Sequence, residues 1–310
     1  MRSGRTLSSQ PICYHPARMA KQLHKLGILA KRDDPRAAAT LRAVVGHLAP
    51  RGVRLLAEDP LAGEFPEIAL GRLDEAEAVI VIGGDGTMLH AARMLAPRNV
   101  PLVGVNAGRL GFLADIPESA LQQSLDALLA GDYTEEPRWL VRGEVLRGEE
   151  SVWHATALNE VVVQKCDAGR LIEFETRIDG SHVSQQRADG IIVTTPTGST
   201  AYALSAGGPI LHPRLDAIAV VPICPHTLSD RPIVVDGKSC VEIKLRETEN
   251  PAAQVILDGQ DHCLLAPGDR VRIQRDGVPA RLLHPAGHDY YQVLRQKLHW
   301  GRDHESGLER

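Results

Sequence analysis

The sequence predicts an α/β protein of two domains, in which a parallel α/β domain precedes a mainly antiparallel β domain. Up to residue 138, short apolar segments alternate with amphipathic helix patterns, which is typical of a parallel sheet covered by helices. From Trp139 onward, short segments alternate apolar and polar residues, as strands with one buried face do. The chain has 310 residues, and this length favours two domains over one.

The first half of the chain supplies the parallel strands and their helices. The predicted strands are "KLGILAK" (25–31), "GVRLLAED" (52–59), Ala78–Ile82 and "VPLVGVN" (100–106). Apolar residues recur at helical spacing after the first, third and fourth strands, namely Ala37, Leu41, Val44, Val45 and Leu48; Met88, Leu89, Ala92 and Leu95; and Leu121, Leu125, Leu128 and Leu129. Gly131 is the predicted stop of the last of these helices.

The second half reads as β-strands followed by one helix. "LIEFETRIDGSHV" (171–183) places Ile172, Phe174, Thr176 and Ile178 on one face and then offers Asp179-Gly180 as a hairpin turn. "QVILDGQ" (254–260) and "DRVRIQRDG" (269–277) repeat this alternation. In "HDYYQVLRQKLHWG" (288–301), Tyr291, Leu294 and Leu298 lie at helical spacing, and we expect this helix to dock back onto the protein.

These patterns divide the chain into four segments. Residues 1–23 are polar and irregular, and we expect a mobile extension. Residues 24–138 form the predicted Rossmann-like parallel α/β domain, and residues 139–285 the antiparallel, β-sandwich-like domain. Residues 286–310 hold the final helix and a polar tail.

Composition excludes several classes of function. Lys and Arg total 35 against 39 Asp and Glu, without a basic stripe, so we expect no nucleic-acid partner. No apolar stretch reaches the roughly 18 residues that cross a bilayer, and the N-terminus lacks the apolar core of a secretion signal. The five cysteines are scattered without a C-x-x-C pair, which favours a reducing cytoplasm and no disulfide framework. The 13 His residues show no zinc-like spacing, so no protein-bound metal is expected.

In the stretch "IGGDGT" (82–87), a predicted strand ends in a glycine-rich turn that leads into a predicted helix. Glycines at such a turn let backbone N–H groups approach an anion, which the helix N-terminus also attracts. The pattern is neither G-x-G-x-x-G nor a Walker loop. A carboxylate beside phosphates is costly unless it holds a cation or takes a proton from an attacking hydroxyl. Asp85 is therefore either such a functional group or simply a turn former.

A second stretch, "RADGIIVTTPTGSTAYALSAGGPI" (187–210), crowds small hydroxyl residues with glycines. Its hydroxyls are Thr194, Thr195, Thr197, Ser199, Thr200 and Ser205. Such residues make a poor core but supply many short donors for a sugar and phosphates, and Tyr202 offers a flat surface for a base. Asp189 and the pair Asn159-Glu160 before "VVV" add polar groups. The alternative is a surface loop, but the apolar residues threaded through the stretch favour a shaped ligand site.

Taken together, these motifs identify a resemblance. The chain is similar to the bacterial NAD kinase family from about Lys25 to Gly301. The matching pieces are "GGDGT", "NAGRLGFLAD", "LNEVVV", "QRADGIIVTTPTGSTAYALSAGGPILHP", "PICPHTLSDRPIVV", "LDGQ" and "DYYQVLRQKLHWG". A Gly-Gly-Asp-Gly core alone also occurs in lipid kinases and phosphofructokinases, whereas the ordered set is specific. The 24-residue extension before Lys25 departs from the family pattern, as does Arg109, where the family commonly has Asn.

The resemblance implies transfer of the γ-phosphate of ATP to the 2′-hydroxyl of the adenosine ribose of NAD+, with a divalent cation, Mg²⁺, carried by ATP. Asp85 matches the proton acceptor. The nucleotide-binding residues that we expect are Gly84, Gly86, Asn159, Glu160, Arg170, Arg187, Asp189, Thr197, Thr200, Ala201, Tyr202, Ser205 and Gln260. The family is oligomeric, so a homodimer or homotetramer is expected. The rivals are a lipid or sugar kinase, which leaves "TPTGSTAY" unexplained, and a non-catalytic NAD sensor, which has no use for Asp85.

Overall fold

A computed structural model of the chain describes residues 18–19, 21–31, 34–58, 61–108, 111–167, 169–227, 229–246 and 252–300. Within these residues the predicted class is confirmed: an α/β domain with a largely parallel sheet is followed by a β domain of antiparallel sheets, and a final helix is present. No helix of the described part is long and apolar enough to span a bilayer.

An eight-stranded sheet forms the α/β domain. Its strands are β1 (Arg18–Met19), β2 (Lys25–Ala30), β3 (Arg54–Ala57), β4 (Ile68–Leu70), β5 (Ala78–Gly83), β6 (Leu102–Asn106), β7 (Tyr133–Arg138) and β20 (Ala280–Pro285). Its helices are α1 (Pro35–Leu48), α2 (Leu61–Glu64), α3 (Asp85–Leu95) and α4 (Leu121–Leu129). Every residue of β5 and β6 is buried, as expected of parallel strands covered on both faces.

The strand order of this sheet is β1-β7-β20-β6-β5-β2-β3-β4. Strands β2 to β6 run parallel, and β20 pairs parallel with β6 and antiparallel with β7. The sheet thus takes in residues 280–285, which the sequence assigned to the β domain. An alternating strand pattern does not say which sheet a strand joins, because partner choice depends on contacts remote in sequence.

Two six-stranded antiparallel sheets form the β domain. One has the order β15-β14-β13-β10-β17-β18 and the other β12-β11-β16-β19-β8-β9. The strands are β8 (Val141–Arg147), β9 (Glu150–Ala157), β10 (Glu160–Lys165), β11 (Ile172–Ile178), β12 (Ser181–Ala188), β13 (Gly190–Thr194), β14 (Ala217–Ile223), β15 (Ile233–Asp236), β16 (Val241–Leu245), β17 (Ala253–Leu257), β18 (Asp261–Leu265) and β19 (Arg270–Arg275). Their inward side chains share one core around Phe174, which makes a sandwich.

Local signals in the sequence explain several element ends. The hairpin turn between β11 and β12 has positive φ at both Asp179 and Gly180, the type I′ geometry that Asp-Gly favours. Gly131, with φ of 80°, lies two residues past the end of α4, as predicted. Short helix α5 (Tyr202–Ser205) lies in the hydroxyl-rich stretch, and its Ala203 packs on the outer face of β10 and β13.

The last helix, α6 (Tyr290–Leu298), begins at its N-cap Asp289, whose side chain accepts a hydrogen bond from the amide of Tyr291. Its buried side chains are Val293 and Leu294. The predicted apolar face is therefore wrong at Tyr291, which is 57% exposed. Its ring instead lies beside His212 and Tyr290.

The N-terminal segment is only partly described. Of the predicted mobile extension, residues 1–17 and 20 lie outside the described residues, as does the polar tail from 301. The pair Arg18–Met19 forms an edge strand against Tyr133 and Thr134 of β7, and Leu23 is buried in the core of the first domain. The sheet therefore begins before the predicted boundary at residue 24.

Candidate active site

The glycine-rich loop lies at the carboxyl end of β5, in the middle of the parallel sheet. Gly84 is the N-cap of α3, and Asp85 is the first residue of that helix. A Cβ on Gly83 would overlap the Thr87 side chain, whereas Cβ atoms on Gly84 and Gly86 would meet nothing within 4 Å. The loop thus offers an open face beside a helix N-terminus, the arrangement that attracts phosphate groups.

The Asp85 carboxylate is held by a neighbouring backbone segment. One oxygen accepts from the amide of Phe112 at 2.9 Å, and the other from Leu113 at 2.9 Å and Ala114 at 3.2 Å. A Cβ on Gly111 would overlap this carboxylate, so only glycine allows the approach. Because a carboxylate has about four acceptor positions, three donors fix its orientation and leave room for a further one.

The pair Asn159-Glu160 lies in a tight turn between β9 and β10, clamped by Asp258. The carboxylate of Asp258 accepts from the amides of Leu158 at 2.7 Å, Asn159 at 2.8 Å and Glu160 at 3.1 Å. Asp258 itself has φ of 51°, in the left-handed region that Asp tolerates at turns. The clamp sets the position of both predicted nucleotide-binding residues.

Glu160 is a buried carboxyl group. Burial, together with the negative charge of Asp258, raises the pKa of Glu160 to about 8. Its Oε2 atom is buried without a hydrogen-bond partner among the described groups. Burial also raises the pKa of Asp258, although its three amide donors oppose that shift. A neutral Glu160 at pH 7 has a proton to donate to an acceptor.

The loop after β13 packs directly on that turn, but its hydroxyls have unequal roles. Thr194 and Thr195 donate from Oγ1 to the carbonyls of Asn159 at 3.1 Å and Leu158 at 2.6 Å. Ser199 Oγ accepts from the Leu211 amide at 2.9 Å. All three are buried, so the interpretation that they line the ligand is wrong: they fold the loop. Such satisfied hydroxyls cannot be told from ligand donors by composition.

Four of the remaining predicted residues of this loop stay at least partly accessible, and Thr197 does not. Tyr202 is 41% exposed, Ser205 is exposed, and Thr200 and Ala201 are half-buried. Thr197 is buried and receives a hydrogen bond from Arg138 Nη1 at 3.4 Å. Thr200, Ala201, Tyr202 and Ser205 are therefore the predicted residues of this loop that solvent reaches.

Gln260 joins the two halves of the site. Its Nε2 donates to the Gly86 carbonyl at 3.2 Å, and its Oε1 accepts from Arg93 Nη1 at 3.2 Å. Arg93, on α3, also forms an ion pair with Asp261. The glycine loop, the Asp258 clamp and the Asn159-Glu160 turn are therefore neighbours in one chain.

Three predicted residues lie elsewhere. Asp189 pairs with Lys165, and Arg187 Nε lies 3.1 Å from Glu173. Because Glu160 pairs with Thr194 and Gln164 with Gly190, Asp189 sits at the other end of β10 and β13, roughly 14 Å or more along the strands. Arg170 is exposed in the connection after β10. One chain therefore does not bring these three to the Asp85 loop.

Sequence reasoning missed three residues that shape the site: Asp258, Arg93 and Arg138. Arg138 is 3% exposed, with Nη2 3.5 Å from Glu136 Oε2. The Asp-Gly pair in "LDGQ" indicates a turn at Asp258. It does not indicate which groups the Asp258 carboxylate binds, because they lie about 100 residues away in sequence. Arg109, a departure from the family pattern, lies outside the described residues.

Comparison with known families decides the assignment. The ATP-NAD kinase N-terminal domain matches residues 26–133, and the ATP-NAD kinase C-terminal domain matches residues 158–284. The chain belongs to the ATP-NAD kinase family. The two matched regions meet where Gln260 contacts Gly86.

Relatives within the family match nearly the whole chain. It is 51% identical over 285 residues to the NAD kinase of Thiobacillus denitrificans, covering 90% of this chain and 98% of that one. It is 46% identical over 290 residues to the NAD kinase of Nitrosococcus oceani, covering 92% and 99%.

Solved structures agree on the fold. The crystal structure of yeast NADH kinase complexed with NADH matches with a TM-score of 0.79 at 23% identity, covering 91% of this chain and 89% of that one. An NAD kinase from Archaeoglobus fulgidus in complex with ATP matches with a TM-score of 0.66 at 25% identity, covering 89% and 98%. The likeness to the yeast enzyme concerns the fold alone.

Proposed function

We propose that this chain is an NAD kinase that transfers the γ-phosphate of ATP to the 2′-hydroxyl of the adenosine ribose of NAD+, giving NADP+ and ADP. The observation that carries the mechanism is the position of Asp85, inside the glycine loop and held by the amides of 112–114. Family membership and the NAD kinases among its relatives support the reaction.

Asp85 acts as the general base in this proposal. The carboxylate is fixed in orientation at a helix N-terminus, beside an open backbone face suited to phosphates. It accepts the ribose proton as the hydroxyl oxygen attacks the γ-phosphorus, and the bond from that phosphorus to the β-phosphate oxygen breaks. General-base assistance of this kind contributes about 10² to 10⁴ in rate.

The loop amides of Gly84 and Gly86 face the phosphates and offset their charge. Mg²⁺ enters with ATP as part of the donor substrate and neutralises charge on the transferred group. In-line alignment of donor and hydroxyl then accounts for the remaining acceleration. No protein ligand to this ion is assigned.

The adenosine half of NAD+ binds at the Asn159-Glu160 turn in this proposal. Thr197, Thr200, Ala201, Tyr202 and Ser205 complete the adenosine site in this proposal, with the exposed Tyr202 ring available to a base. Gln260 ties the β17–β18 turn, which holds Asp258, to the carbonyl of Gly86 in the glycine loop. This contact brings the acceptor region next to Asp85.

We also infer a homo-oligomer, either a dimer or a tetramer. Arg170, Arg187 and Asp189 lie at the far end of β10 and β13 from Glu160. In this proposal they contact a nucleotide bound at the Asp85 loop of a neighbouring subunit, and not one bound in their own chain. The scattered cysteines, of which the four described are free, support a cytoplasmic location, and neither nucleic acid nor a membrane enters the proposal.

The test offers several acceptors to one purified protein. The chain is incubated with Mg-ATP and, side by side, NAD+, NADH, diacylglycerol and a sphingoid base, and NADP(H) and phospholipid are quantified. Formation of NADP+ is the expected result. Phosphorylation of a lipid instead would favour the rival kinase, and NAD+ binding without ATP consumption would favour the sensor.

A further inference from the structure

A second polar cluster lies next to the segment whose amides hold Asp85. It consists of Asp115, at the end of the 112–115 segment, His284, in β20, and His288, just before α6. Among the described residues these three side chains place one potential metal-ligand atom each within 4.8 Å of one another. Their side chains are 6%, 3% and 16% exposed, respectively.

Both imidazoles point the same nitrogen at the same carboxylate oxygen. Asp115 Oδ2 lies 2.9 Å from His284 Nδ1 and 2.6 Å from His288 Nδ1. The two rings are stacked with their centroids 3.9 Å apart and 16° between their planes. Around a tetrahedral ion with bonds of about 2.0–2.1 Å, ligand atoms lie about 3.3 Å apart. The two oxygen–nitrogen distances are therefore about half an ångström short of that spacing, and the stacked rings must also turn so that both Nδ1 lone pairs converge on one ion.

Hydrogen bonding within the cluster is incomplete when both imidazoles are neutral, and either a proton on His284 or a cation can complete it. If each Nδ1–H donates to Asp115, both Nε2 atoms become acceptors, and both are buried without a hydrogen-bond partner. The group that faces His284 Nε2 is Glu136 Oε2, at 3.5 Å, which is itself an acceptor. With a metal on the Nδ1 atoms, His284 Nε2–H instead points at that carboxylate. A carboxylate behind a ligating imidazole is the usual second partner in metal sites.

A solvent route reaches the cluster. Asp115 and His288 line a cavity of about 280 Å³ that is also bordered by Ser124 and by Gln292 and Gln296 of α6. The partly exposed edge of His288 faces this cavity. An incoming ion therefore has a path, and water has a place as a fourth ligand.

We propose that Asp115, His284 and His288 form a binding site for a borderline divalent cation such as Zn²⁺ or Co²⁺. Two imidazole nitrogens and one carboxylate are the donor set such ions prefer, whereas Mg²⁺ and Ca²⁺ prefer oxygen ligands. The site is separate from the ion that ATP carries. It draws its ligands from three stretches of chain that only the fold brings together.

The position of the site gives it a structural role. Asp115 follows directly on Phe112–Ala114, whose amides hold Asp85. On the other side, His288 precedes the N-cap of α6, and Lys297 of that helix lies over the Phe112 ring at 5.5 Å. A bound ion joins the start of α6 to the segment that orients the catalytic carboxylate.

Metal titration tests the proposal without any turnover measurement. The untagged chain is dialysed against a chelator, returned to metal-free buffer and titrated with Co²⁺, whose visible absorption reports imidazole and carboxylate coordination. Zn²⁺ is then added as competitor. His288→Gln removes one ligand at the partly exposed end and leaves the His284–Asp115 pair intact. His154→Gln, at an exposed position on β9, is the matched control.

The expected result is one saturable equivalent for the parent chain and for His154→Gln, with affinity at least about 10-fold weaker in His288→Gln. Metal should also slow amide hydrogen exchange in 111–116 and 286–296 of the parent chain and not of His288→Gln. Equal Co²⁺ affinity in the parent chain and His288→Gln would overturn the proposal. So would the lack of a saturable equivalent below millimolar Co²⁺, which would leave a protonated His284 held between Asp115 and Glu136.

Discussion

Gln260 donates a hydrogen bond from Nε2 to the main-chain carbonyl of Gly86, at 3.2 Å, and so ties the β17–β18 turn of the sandwich to the glycine loop of the α/β domain. Arg93 supports the same glutamine from α3. In the proposed function, this contact connects the part of the site that binds the acceptor to the part that binds the phosphates.

Gln260→Ala should lower kcat/KM for NAD+ by about 5- to 10-fold, because one hydrogen bond contributes about 1 kcal/mol. The midpoint of thermal unfolding should change little, since the residue is exposed. Steady-state kinetics of NADP+ formation measure the effect. Gln185→Ala, at an exposed position on β12, is the control, and an unchanged kcat/KM in Gln260→Ala would deny the contact a role.

Asp85→Asn should still bind NAD+ but lose at least about 100-fold in kcat, because the amide cannot accept the ribose proton. One amide donor of 112–114 would then face an NH₂ group, at a cost of about 1–3 kcal/mol in unfolding free energy. Calorimetric NAD+ binding, kinetics and urea unfolding separate these effects. Asp74→Asn, which removes a surface ion pair with Arg72, should leave kcat unchanged; near-normal turnover in Asp85→Asn would remove the general-base assignment.

Gly111→Ala should displace the Asp85 carboxylate, because the new Cβ would occupy its space. We expect kcat to fall by about 10- to 100-fold, as for misplacement of a catalytic group by about 1 Å. Gly46→Ala is the matched control, since its Cβ meets nothing within 4 Å in the last turn of α1. That control should gain up to about 1 kcal/mol in unfolding free energy and keep full activity. Full activity in Gly111→Ala would show that the close approach is not needed.

Glu160→Gln should change how stability depends on pH. The pKa of Glu160 is raised to about 8 in the folded protein, so its favourable contribution is complete below the unfolded pKa of about 4.5 and is lost as pH rises towards 8. Relative to Glu160→Gln, the unfolding free energy of the parent chain should therefore fall as pH rises, by at most about 1.4 kcal/mol per pH unit.

Urea unfolding at pH values from 5 to 9 measures this difference. Glu150→Gln, at an exposed position, should follow the parent chain throughout. Parallel curves for the parent chain and Glu160→Gln would mean that Glu160 titrates near its ordinary range in the folded protein.

The sequence predicted the local part of the structure well. The buried strands β2, β5 and β6 and the helices beside them follow from unbroken apolar runs and helical spacing, which depend on nearby residues only. The Asp179-Gly180 hairpin follows from turn chemistry. The glycine loop and the Asn159-Glu160 turn were correctly taken to be polar segments at strand ends, and the structure joins them through Gln260 and Asp258.

Long-range partnerships were beyond the sequence. Nothing near Asp258 says that its carboxylate accepts three amides from Leu158–Glu160, and nothing near Thr195 says that its hydroxyl is used by the Leu158 carbonyl. For the same reason the sequence did not predict the cluster of His284 and His288 with Asp115, because Asp115 is remote from both in sequence. Helical spacing predicts a buried Tyr291 because it identifies the apolar face of a helix. It does not show how far that face extends before it becomes exposed to solvent.

The pairing of β20 between β6 and β7 bears on how the chain acquires its shape during synthesis. A ribosome that has released residues 1–138 has delivered seven of the sheet's eight strands, yet the gap between β6 and β7 stays open until residues 280–285 emerge. Until then β6 presents an unpaired edge, a hazard for pairing with other chains. We therefore expect that the amino-terminal region does not fold autonomously, and that a truncation before residue 280 yields an aggregation-prone product rather than a smaller enzyme domain.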